Sequence, residues 1–237
     1  MIIGIQCKHG KDKNYHLNKT LECEKQGYRL IHIFEHEWIN KQEIIKAKLK
    51  ALFNVEQTKI YARKCIIKEI DSKIKNKFLN QYHIQGGDKS KVKLGLFYQD
   101  ELVAVMTFGK PRFNKNYEWE LIRYATSKHV IGGASKLLKY FERVYKPKSI
   151  ITYADRRLSQ GNMYYKLGFN LDHISKPGYE WVSDEHTIKL SRFDCFSSKV
   201  KQIFDNYDKN LSVRENMINH KFYQLFDCGN LVFIRRF

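Results

Sequence analysis

The residues best suited to chemistry follow an apolar run, Ser149 to Ala154, that predicts a buried β-strand. Asp155 ends this run, and Arg156 and Arg157 come directly after it. Ligands of open α/β sheets bind at the carboxyl ends of strands, so a carboxylate there could take a proton from a substrate amine. An ordinary ion pair between Asp155 and a neighbouring arginine is the structural alternative.

A candidate proton donor follows a few residues later. A polar turn containing Gly161 leads into a short predicted helix, Asn162 to Leu167, which Gly168 ends. The helix carries Tyr164, and a phenol at a reaction centre can protonate a leaving group. The alternative is that Tyr164 is only a packed aromatic residue.

A second pair of charged residues lies on the strand predicted from Trp119 to Thr126. Glu120 and Arg123 are three positions apart, and the alternation of side chains along a strand places them on opposite faces. We therefore expect only one of them to face a cleft shared with Asp155. His83 lies in a predicted turn and could bind a metal together with Asp155, although a hydrogen-bonded turn histidine is the alternative.

A turn of small residues precedes an amphipathic helix predicted from Lys136 to Val144. Unpaired N–H groups and the dipole at a helix N-terminus favour phosphate, and small residues let it approach. The turn therefore predicts an anion site, with tight packing of helix on strand as the alternative. Its residues are His129, Gly132, Gly133, Ala134, Ser135 and Lys136.

The charge balance indicates a polyanionic partner. Lys and Arg number 43 against 25 Asp and Glu, which gives a net charge of +18. Such an excess favours nucleic acid, and 15 Tyr with 15 Phe offer surfaces on which bases can stack. The alternative is that the codon bias of an AT-rich genome, rather than a partner, accounts for this composition. We therefore predict DNA as the partner.

The predicted DNA contacts lie in two places. The loop from Lys110 to Tyr117 combines basic and aromatic residues between two strands, although a solvated loop is the alternative. A base that is modified within a duplex must leave the stack, which calls for both residue types. The candidate DNA-binding residues are Lys110, Arg112, Phe113, Lys115, Arg156 and Arg157.

Strands and helices must alternate to position these residues. We predict one basic strand from Lys59 to Ile70, a helix capped by Asp71, and a hairpin that turns at Gln99 and Asp100. The strand, glycine turn, helix, strand and helix described above follow. This order predicts an α/β (α+β) fold with a mixed central sheet flanked by helices.

Three segments are predicted along the chain. Residues 57–182 hold the sheet, and residues 1–56 form a helix–strand–helix fragment too small to bury its own faces. Residues 183–237 contain a predicted helix from Ser198 to Asn206 and two short strands on either side of Cys228 and Gly229. Between them, Ser212 as N-cap with Glu215 three residues later predicts a helix that begins with a capping box. This last segment is either a cap on the sheet or a DNA-contacting extension.

The order of elements over residues 60–182 resembles the GNAT acyltransferases. The helix that ends in Tyr164-Tyr165-Lys166-Leu167-Gly168-Phe169 resembles the last helix of that family. In the glycine turn, His129, Gly132 and Ala134 hold the family's phosphate-binding positions, although His129 stands where the family has Arg or Gln. The resemblance implies an acyl-CoA donor bound at this turn and Tyr164 as the proton donor to its thiolate.

Two short motifs resemble the Mom family of phage DNA-modification proteins. They are Glu120-Leu121-Ile122-Arg123 and Tyr153-Ala154-Asp155, and the pair Tyr82-His83 is similar as well. This resemblance implies a transferase that acts on adenine N6 in DNA, with Glu120, Arg123 and Asp155 in catalysis. It also implies an iron centre, for which His83 and Asp155 would be the ligands.

The N-terminal segment resembles the Vsr-like, restriction-type endonuclease domain of phage homing endonucleases. The matching motifs are Tyr15-His16-Leu17-Asn18-Lys19-Thr20 and Leu30-Ile31-His32-Ile33-Phe34-Glu35, followed by Glu37-Trp38. Metal-dependent hydrolysis needs clustered carboxylates, and the first ten residues supply none, so we predict a truncated remnant. The alternative function is a homing-endonuclease-derived DNA-binding protein or nuclease. His16, His32 and His36 are candidate ligands, with structural roles as the alternative.

The remaining features concern the cysteines, the cellular location and the oligomeric state of the protein. Five scattered cysteines predict neither disulfides nor a zinc finger. No apolar run is long enough for a membrane helix and no leader pattern is visible, so we expect a cytoplasmic protein of a phage-infected bacterial cell. A homodimer is an open alternative to a monomer.

Overall fold

The structure, a computed structural model, describes residues 2–5, 12–55, 58–195 and 197–237. Its first helices and strands are β1 (Ile2–Ile5), α1 (Tyr15–Lys25), β2 (Leu30–Ile33), α2 (Glu35–Leu52), β3 (Lys59–Tyr61), β4 (Ile66–Glu69), α3 (Ser72–Tyr82), β5 (Val92–Tyr98), β6 (Glu101–Gly109), β7 (Trp119–Thr126), β8 (His129–Ile131) and α4 (Gly133–Tyr145). They are followed by β9 (Ser149–Asp155), α5 (Asn162–Lys166), β10 (Asn170–Ile174), β11 (Tyr179–Ser183), β12 (Lys189–Ser191), α6 (Ser197–Val200), α7 (Val213–Asn219), β13 (Phe222–Phe226) and β14 (Asn230–Arg236).

The chain divides into two compact units that interleave in sequence. Unit 1 takes Met1–Gln42, Asp155–Ser159 and Ser175–Asn230, and unit 2 takes Glu43–Ala154, Gln160–Ile174 and Leu231–Phe237. The first boundary follows a kink in α2, where Lys41 leaves helical backbone angles (φ −140°, ψ 34°). Each unit therefore draws on stretches that are far apart in the sequence.

Unit 2 is built on a seven-stranded sheet with the order β10-β14-β9-β7-β6-β5-β4. β7 and β9 are parallel, whereas β4 to β7 form an antiparallel run. Helix α3 packs on the face that carries Val105 and Ala125, and α4 packs on the face that carries Met106 and Leu121. Neighbouring residues of one strand point to opposite faces, so the sheet has a helix on each side. The predicted mixed sheet flanked by helices is confirmed.

The order strand, helix, hairpin, strand, glycine turn, helix, strand, helix, strand is also observed, as β4 to β10, except that a short strand that was not predicted, β8, precedes the glycine turn. The hairpin turns at Gln99 and Asp100, both with positive φ, as predicted. Asp71 caps α3 by accepting a hydrogen bond from the Ile74 amide at 2.8 Å. Local sequence signals were sufficient for these elements.

The single strand predicted from Lys59 to Ile70 is wrong. A 3-10 turn at Ala62–Lys64 separates β3 from β4. The Cys65 amide donates to the Ala62 carbonyl at 3.0 Å, and the Lys136 ammonium donates to both the Ala62 and Cys65 carbonyls. This tertiary contact turns the chain, so β3 pairs with β8 in a separate ladder while β4 joins the sheet.

Unit 1 contains the antiparallel sheet β12-β11-β13 and the parallel pair β1-β2. Its core includes Trp181, Met217 and Phe222. The predicted capping box is confirmed, because Ser212 and Glu215 exchange hydrogen bonds at the start of α7. In the described chain, no helix is long and apolar enough to cross a membrane.

One prediction for the C-terminal segment is wrong. The helix expected from Ser198 to Asn206 is limited to α6, because the chain turns after Val200 and Phe204 stacks on His220 with centroids 4.0 Å apart. The two final strands are confirmed as β13 and β14, and they belong to different sheets: β13 pairs with β11, whereas β14 lies between β9 and β10. Strand order depends on contacts distant in sequence, which no local pattern reports.

Candidate active site at the fork of two strands

The parallel strands β7 and β9 pair over a short stretch and then part. The ladder joins Trp119 to Ile150 and continues to the pair Leu121 and Thr152, whereas β7 runs on to Thr126. At the last pair the Thr152 hydroxyl donates to the Leu121 carbonyl at 2.9 Å. Beyond this pair the two strands separate, so the backbone groups of β7 that follow have no partner in the described part of β9. We call this place the fork. Freed backbone groups need other partners, so the fork is suited to an extended ligand.

Tyr164 lies at this fork. Its phenol hydrogen-bonds the Thr152 hydroxyl, and its ring stacks on Phe233 at a centroid distance of 5.1 Å. Since the single proton of Thr152 goes to the Leu121 carbonyl, the phenol is the donor to Thr152. Burial raises the pKa of Tyr164, opposed by the Thr152 hydrogen bond and the charge of Arg123. The phenol is therefore neutral at physiological pH and has a proton to give.

Glu120 and Arg123 are on the same face of β7, contrary to the expectation from a flat strand. The register with β6 changes from Leu121 opposite Phe108 to Arg123 opposite Thr107, which leaves Ile122 as the extra residue of a β-bulge. One inserted residue resets the alternation of side chains. The expectation of opposite faces is therefore wrong.

Glu120 is fully buried and is held by the loop before it. The Arg112 backbone amide donates to one carboxylate oxygen at 2.8 Å, and the Arg112 guanidinium donates to the other at 2.9 Å and 2.5 Å. Both oxygens of Glu120 are thus occupied by a single arginine. This arrangement anchors the loop and assigns Glu120 a positioning contact in the described structure.

Arg123 lies on β7 beyond the last ladder pair, and its charge acts on the pKa of Tyr164. Burial lowers the pKa of Arg123 to about 10, with the Arg112 charge acting the same way and Asp88 and Glu120 opposing. One terminal nitrogen donates to the Ile122 carbonyl at 2.8 Å, and the Nε atom is buried with no protein acceptor among the described residues. A buried cation with an unused donor is suited to a developing negative charge.

A buried ion pair supports this face of the sheet, and the sequence analysis missed it. Lys75 of α3 lies 2.9 Å from the Asp88 carboxylate, which also accepts from the Thr107 hydroxyl at 2.6 Å. Burial acts to raise the pKa of Asp88, but hydrogen bonds from Ser90, Thr107 and Lys75 lower it. The apolar spacing of α3 gave no sign that Lys75 faces inward.

The predicted anion site is the N-terminus of α4. Gly132 adopts a left-handed backbone (φ 77°) as the N-cap, and a Cβ on Gly133 would lie 2.9 Å from the Tyr124 hydroxyl. The Ala134 amide already hydrogen-bonds that hydroxyl. The amides of Gly133 and Ser135 belong to the same first turn. His129 is exposed on β8, and the Lys136 ammonium binds carbonyls of the 3-10 turn rather than solvent.

The residues expected to bind a metal do not form a donor cluster. Among the described residues, no three His, Cys, Asp or Glu side chains are arranged to hold an ion. The His83 Nδ1 atom accepts from the Gln85 amide at 3.2 Å, and Asp155 is engaged by Arg157. These contacts do not fit an iron centre formed by His83 and Asp155.

Asp155 belongs to unit 1 and forms part of a buried ionic triad. Its carboxylate lies 2.7 Å from the Arg157 guanidinium, which also contacts both oxygens of Glu37 at 2.9 Å and 3.0 Å. The guanidinium stacks over Phe34 at 4.0 Å. This is the ion pair named as the alternative. Arg157 is buried, so it is not the exposed DNA contact that the sequence predicted. The Arg156 guanidinium lies 2.6 Å from the Glu24 carboxylate.

The three histidines of the endonuclease-like segment are also buried in unit 1. His16 Nδ1 lies 2.7 Å from the Phe226 carbonyl, and His32 Nε2 lies 2.8 Å from the Thr20 hydroxyl. His36 pairs with Glu180 at 2.9 Å. Burial, aided by the charge of His16, lowers the pKa of His32 to about 3. These contacts favour the structural alternative for the histidines.

The loop expected to bind DNA retains an exposed surface. Lys110, Phe113 and Lys115 are exposed, and the Phe113 ring meets Tyr153 edge to face at 5.4 Å. The Lys115 ammonium donates to the Pro111 carbonyl within the loop. Arg112 is partly exposed, but its guanidinium forms an ion pair with Glu120. A phosphate contact by this loop stays a prediction.

Comparison with known proteins adds little to this geometry. Neither a protein-family description nor a curated protein matches the sequence. Among solved structures, the chain is similar to the IAA acetyltransferase from Bacillus cereus ATCC 14579, with a TM-score of 0.40 and 12% identity, over 73% of this chain and 99% of that chain. A likeness of this size carries no inference about activity, which has to come from the residues of the fork.

Proposed function

We propose that this protein transfers an acyl group from a coenzyme A thioester to an exocyclic amine of a DNA base. The observation that supports acyl transfer most directly is the fork, where the β7–β9 ladder stops at Leu121 and Thr152 beside Tyr164. The arm of coenzyme A is a chain with two amides, so it can occupy the freed edge of β7 much as an added strand does.

The side chains at the fork suit the reaction. The amine nitrogen attacks the thioester carbon, the carbon–sulfur bond breaks, and the departing thiolate takes the proton of Tyr164. The amine releases a proton to solvent, and Tyr164 recovers one from there. The positive charge of Arg123 lies close enough to Tyr164 to act on its pKa, so it also stabilises negative charge at this point.

The start of α4 is the place for the donor's phosphates. The dipole of a 13-residue helix and the Gly133 and Ser135 amides favour an anion there, and the left-handed Gly132 brings the backbone close. Lys136 contributes its charge without a direct contact, since its ammonium holds carbonyls of the 3-10 turn. His129, Gly132, Gly133, Ala134, Ser135 and Lys136 keep the donor-binding role predicted from the sequence.

DNA as the acceptor is supported by charge rather than by geometry. The excess of 18 positive charges attracts a polyanion. The exposed Lys110, Phe113 and Lys115 lie in the loop whose Arg112 binds Glu120 of β7. The base acted on in this proposal is adenine, at its N6 amine. A protein or small-molecule amine is the competing acceptor.

The test is mass spectrometry of nucleosides from plasmid DNA after expression of the chain in bacteria. A new modified adenosine that disappears with Tyr164→Phe supports the proposal and identifies the group transferred. Nicked but unmodified DNA would support the nuclease alternative. If the DNA is unchanged while the purified protein still releases thiol from acetyl-CoA with another amine, the acceptor is wrong and the transferase stands.

A further inference from the structure

We infer that the outer face of α3 binds the phosphate backbone of duplex DNA. Lys73, Lys77 and Asn80 are exposed on one side of this helix, at spacings of four and three residues. They extend over about 10 Å of the helix axis. Lys89, in the loop that follows α3, is exposed as well. We call these four residues the α3 surface.

Buried contacts hold the loop that carries Lys89 against α3. The Asn80 side-chain oxygen accepts from the Gly87 amide at 2.8 Å. The Lys75 ammonium lies 2.9 Å from the Asp88 carboxylate, and both side chains are buried. The position of Lys89 beside the helix is therefore set by the fold, and the α3 surface does not depend on a free loop.

The chain around the α3 surface is basic and nearly free of acidic residues. Residues 72–99 contain six lysines and one acidic residue, Asp88, whose carboxylate is buried against Lys75. By contrast, residues 183–230 contain seven basic and seven acidic residues. A bias in codon usage would act on both segments alike, so it does not explain this difference. The excess charge is instead concentrated where it can attract a polyanion.

The lysines of the α3 surface have charges to offer a ligand. In the described parts of the chain, no carboxylate lies within ion-pair distance of Lys73, Lys77 or Lys89. Asp71 precedes Lys73 closely, but its side chain accepts from the Ile74 amide as the helix cap. A lysine that neutralises a phosphate releases a counterion from DNA, which favours binding at low salt.

The aromatic residues of α3 face the sheet rather than this surface. Phe78 is buried, and its ring packs on that of Tyr82 at a centroid distance of 4.7 Å. Single strands are bound by stacking of their bases on exposed rings, which three lysines and an asparagine do not offer. The phosphates of a duplex need only cations and hydrogen-bond donors. The α3 surface therefore favours the backbone of a duplex.

This inference rests on the proposed function in taking DNA as the acceptor, and it adds the surface that holds the duplex. Binding there requires neither coenzyme A nor Tyr164. The start of α4, where the proposed function places the donor's phosphates, is a different site, because α3 and α4 pack on opposite faces of the sheet. DNA on α3 therefore leaves the donor site open.

The probe is a fluorescently labelled duplex of about 20 base pairs, or two helical turns, titrated with the full chain without acyl donor and followed by fluorescence anisotropy. K73Q/K77Q/K89Q should weaken binding about tenfold or more. It should also reduce the slope of log Kd against log salt by about 2.7, for three phosphate contacts. K73R/K77R/K89R keeps the charges, so it should bind like the wild type. The matched control, K176Q/K199Q/K209Q, removes three exposed lysines from unit 1 and should change binding little.

The inference is overturned if the control weakens binding as much as K73Q/K77Q/K89Q, if that variant binds like the wild type, or if the arginine variant also loses binding. It is overturned too if one separated strand binds more tightly than the duplex and loses this binding in K73Q/K77Q/K89Q. Tyr164→Phe should bind the duplex normally. Duplex binding through α3 without any modification of DNA contradicts the transferase alone, whereas modified DNA with unaltered binding by K73Q/K77Q/K89Q contradicts this inference alone.

Discussion

Glu120 and Arg123 lie on one face of β7, although three positions separate them, because Ile122 is the extra residue of a β-bulge opposite Thr107 and Phe108. The bulge turns both charges towards the side where Asp88 lies. Two opposite charges close together on a covered sheet face support each other, whereas either one alone would be costly to bury. The bulge is thus what lets β7 bury a cation on this face of the sheet.

The pairing of Glu120 with Arg112 should be asymmetric in stability. Arg112→Met leaves a fully buried carboxylate with only the backbone amide as donor, and we expect it to cost about 3 kcal/mol. Glu120→Gln leaves only a partly exposed guanidinium, so it should cost less. Urea unfolding of both variants measures the difference. Equal losses would show that the buried carboxylate does not depend on the guanidinium.

Tyr164→Phe should separate chemistry from folding. The ring keeps its stacking on Phe233, but the proton for the thiolate is lost, so the rate of thiol release from acetyl-CoA should fall by about a hundredfold or more. The apparent affinity for the donor should change little. Tyr165→Phe, on the neighbouring exposed residue, is the control. A fall in donor affinity with an unchanged rate would assign Tyr164 to binding instead.

The triad of unit 1 should be structural. Arg157→Met leaves the Glu37 and Asp155 carboxylates without their shared cation, and we expect a loss of about 3 to 5 kcal/mol. Urea unfolding monitored by the fluorescence of Trp181, in the core of unit 1, reports it. The exposed Glu22→Gln serves as the control. Full stability with lost DNA modification would instead give the triad a role in chemistry.

The same triad should make stability fall in acid. Burial acts to raise the pKa of Glu37, but the charge and hydrogen bonds of Arg157 outweigh it and the pKa is lowered from 4.5. The stabilisation is therefore complete above pH 4.5 and is lost as the pH falls through the lower, folded pKa. The free energy of unfolding measured from pH 6 to pH 3 should show this loss in the wild type and less of it in Glu37→Gln.

His32 should make unit 1 sensitive at a higher pH. Its folded pKa of about 3 lies below the ordinary 6.5, so the unfolded chain binds the proton first. Stability is then complete above pH 6.5 and declines by about 1.4 kcal/mol per pH unit as the pH falls. His32→Asn should flatten this slope, whereas substitution of the exposed His173 should not. An unchanged slope in His32→Asn would mean that the imidazole is protonated in the folded protein.

Local patterns in the sequence were enough for many elements of the sheet unit. Alternating apolar residues predicted the hairpin of β5 and β6, Asp71 and Ser212 predicted two helix starts, and small residues predicted the turn before α4. Each of these signals acts over a few neighbouring residues, through side-chain alternation, capping or backbone freedom. The mixed sheet with its helices followed from their order.

The sequence by itself determined which side chains are available, among them Tyr164, Arg123 and the lysines of α3. Only the tertiary structure decided their surroundings. A bulge placed Glu120 with Arg123, the end of a ladder opened the fork at Thr152, and Arg157 took Asp155 into a buried triad. Each of these depends on the register or burial of residues far apart in the chain, and the free energy of such contacts leaves no periodic trace in a single sequence.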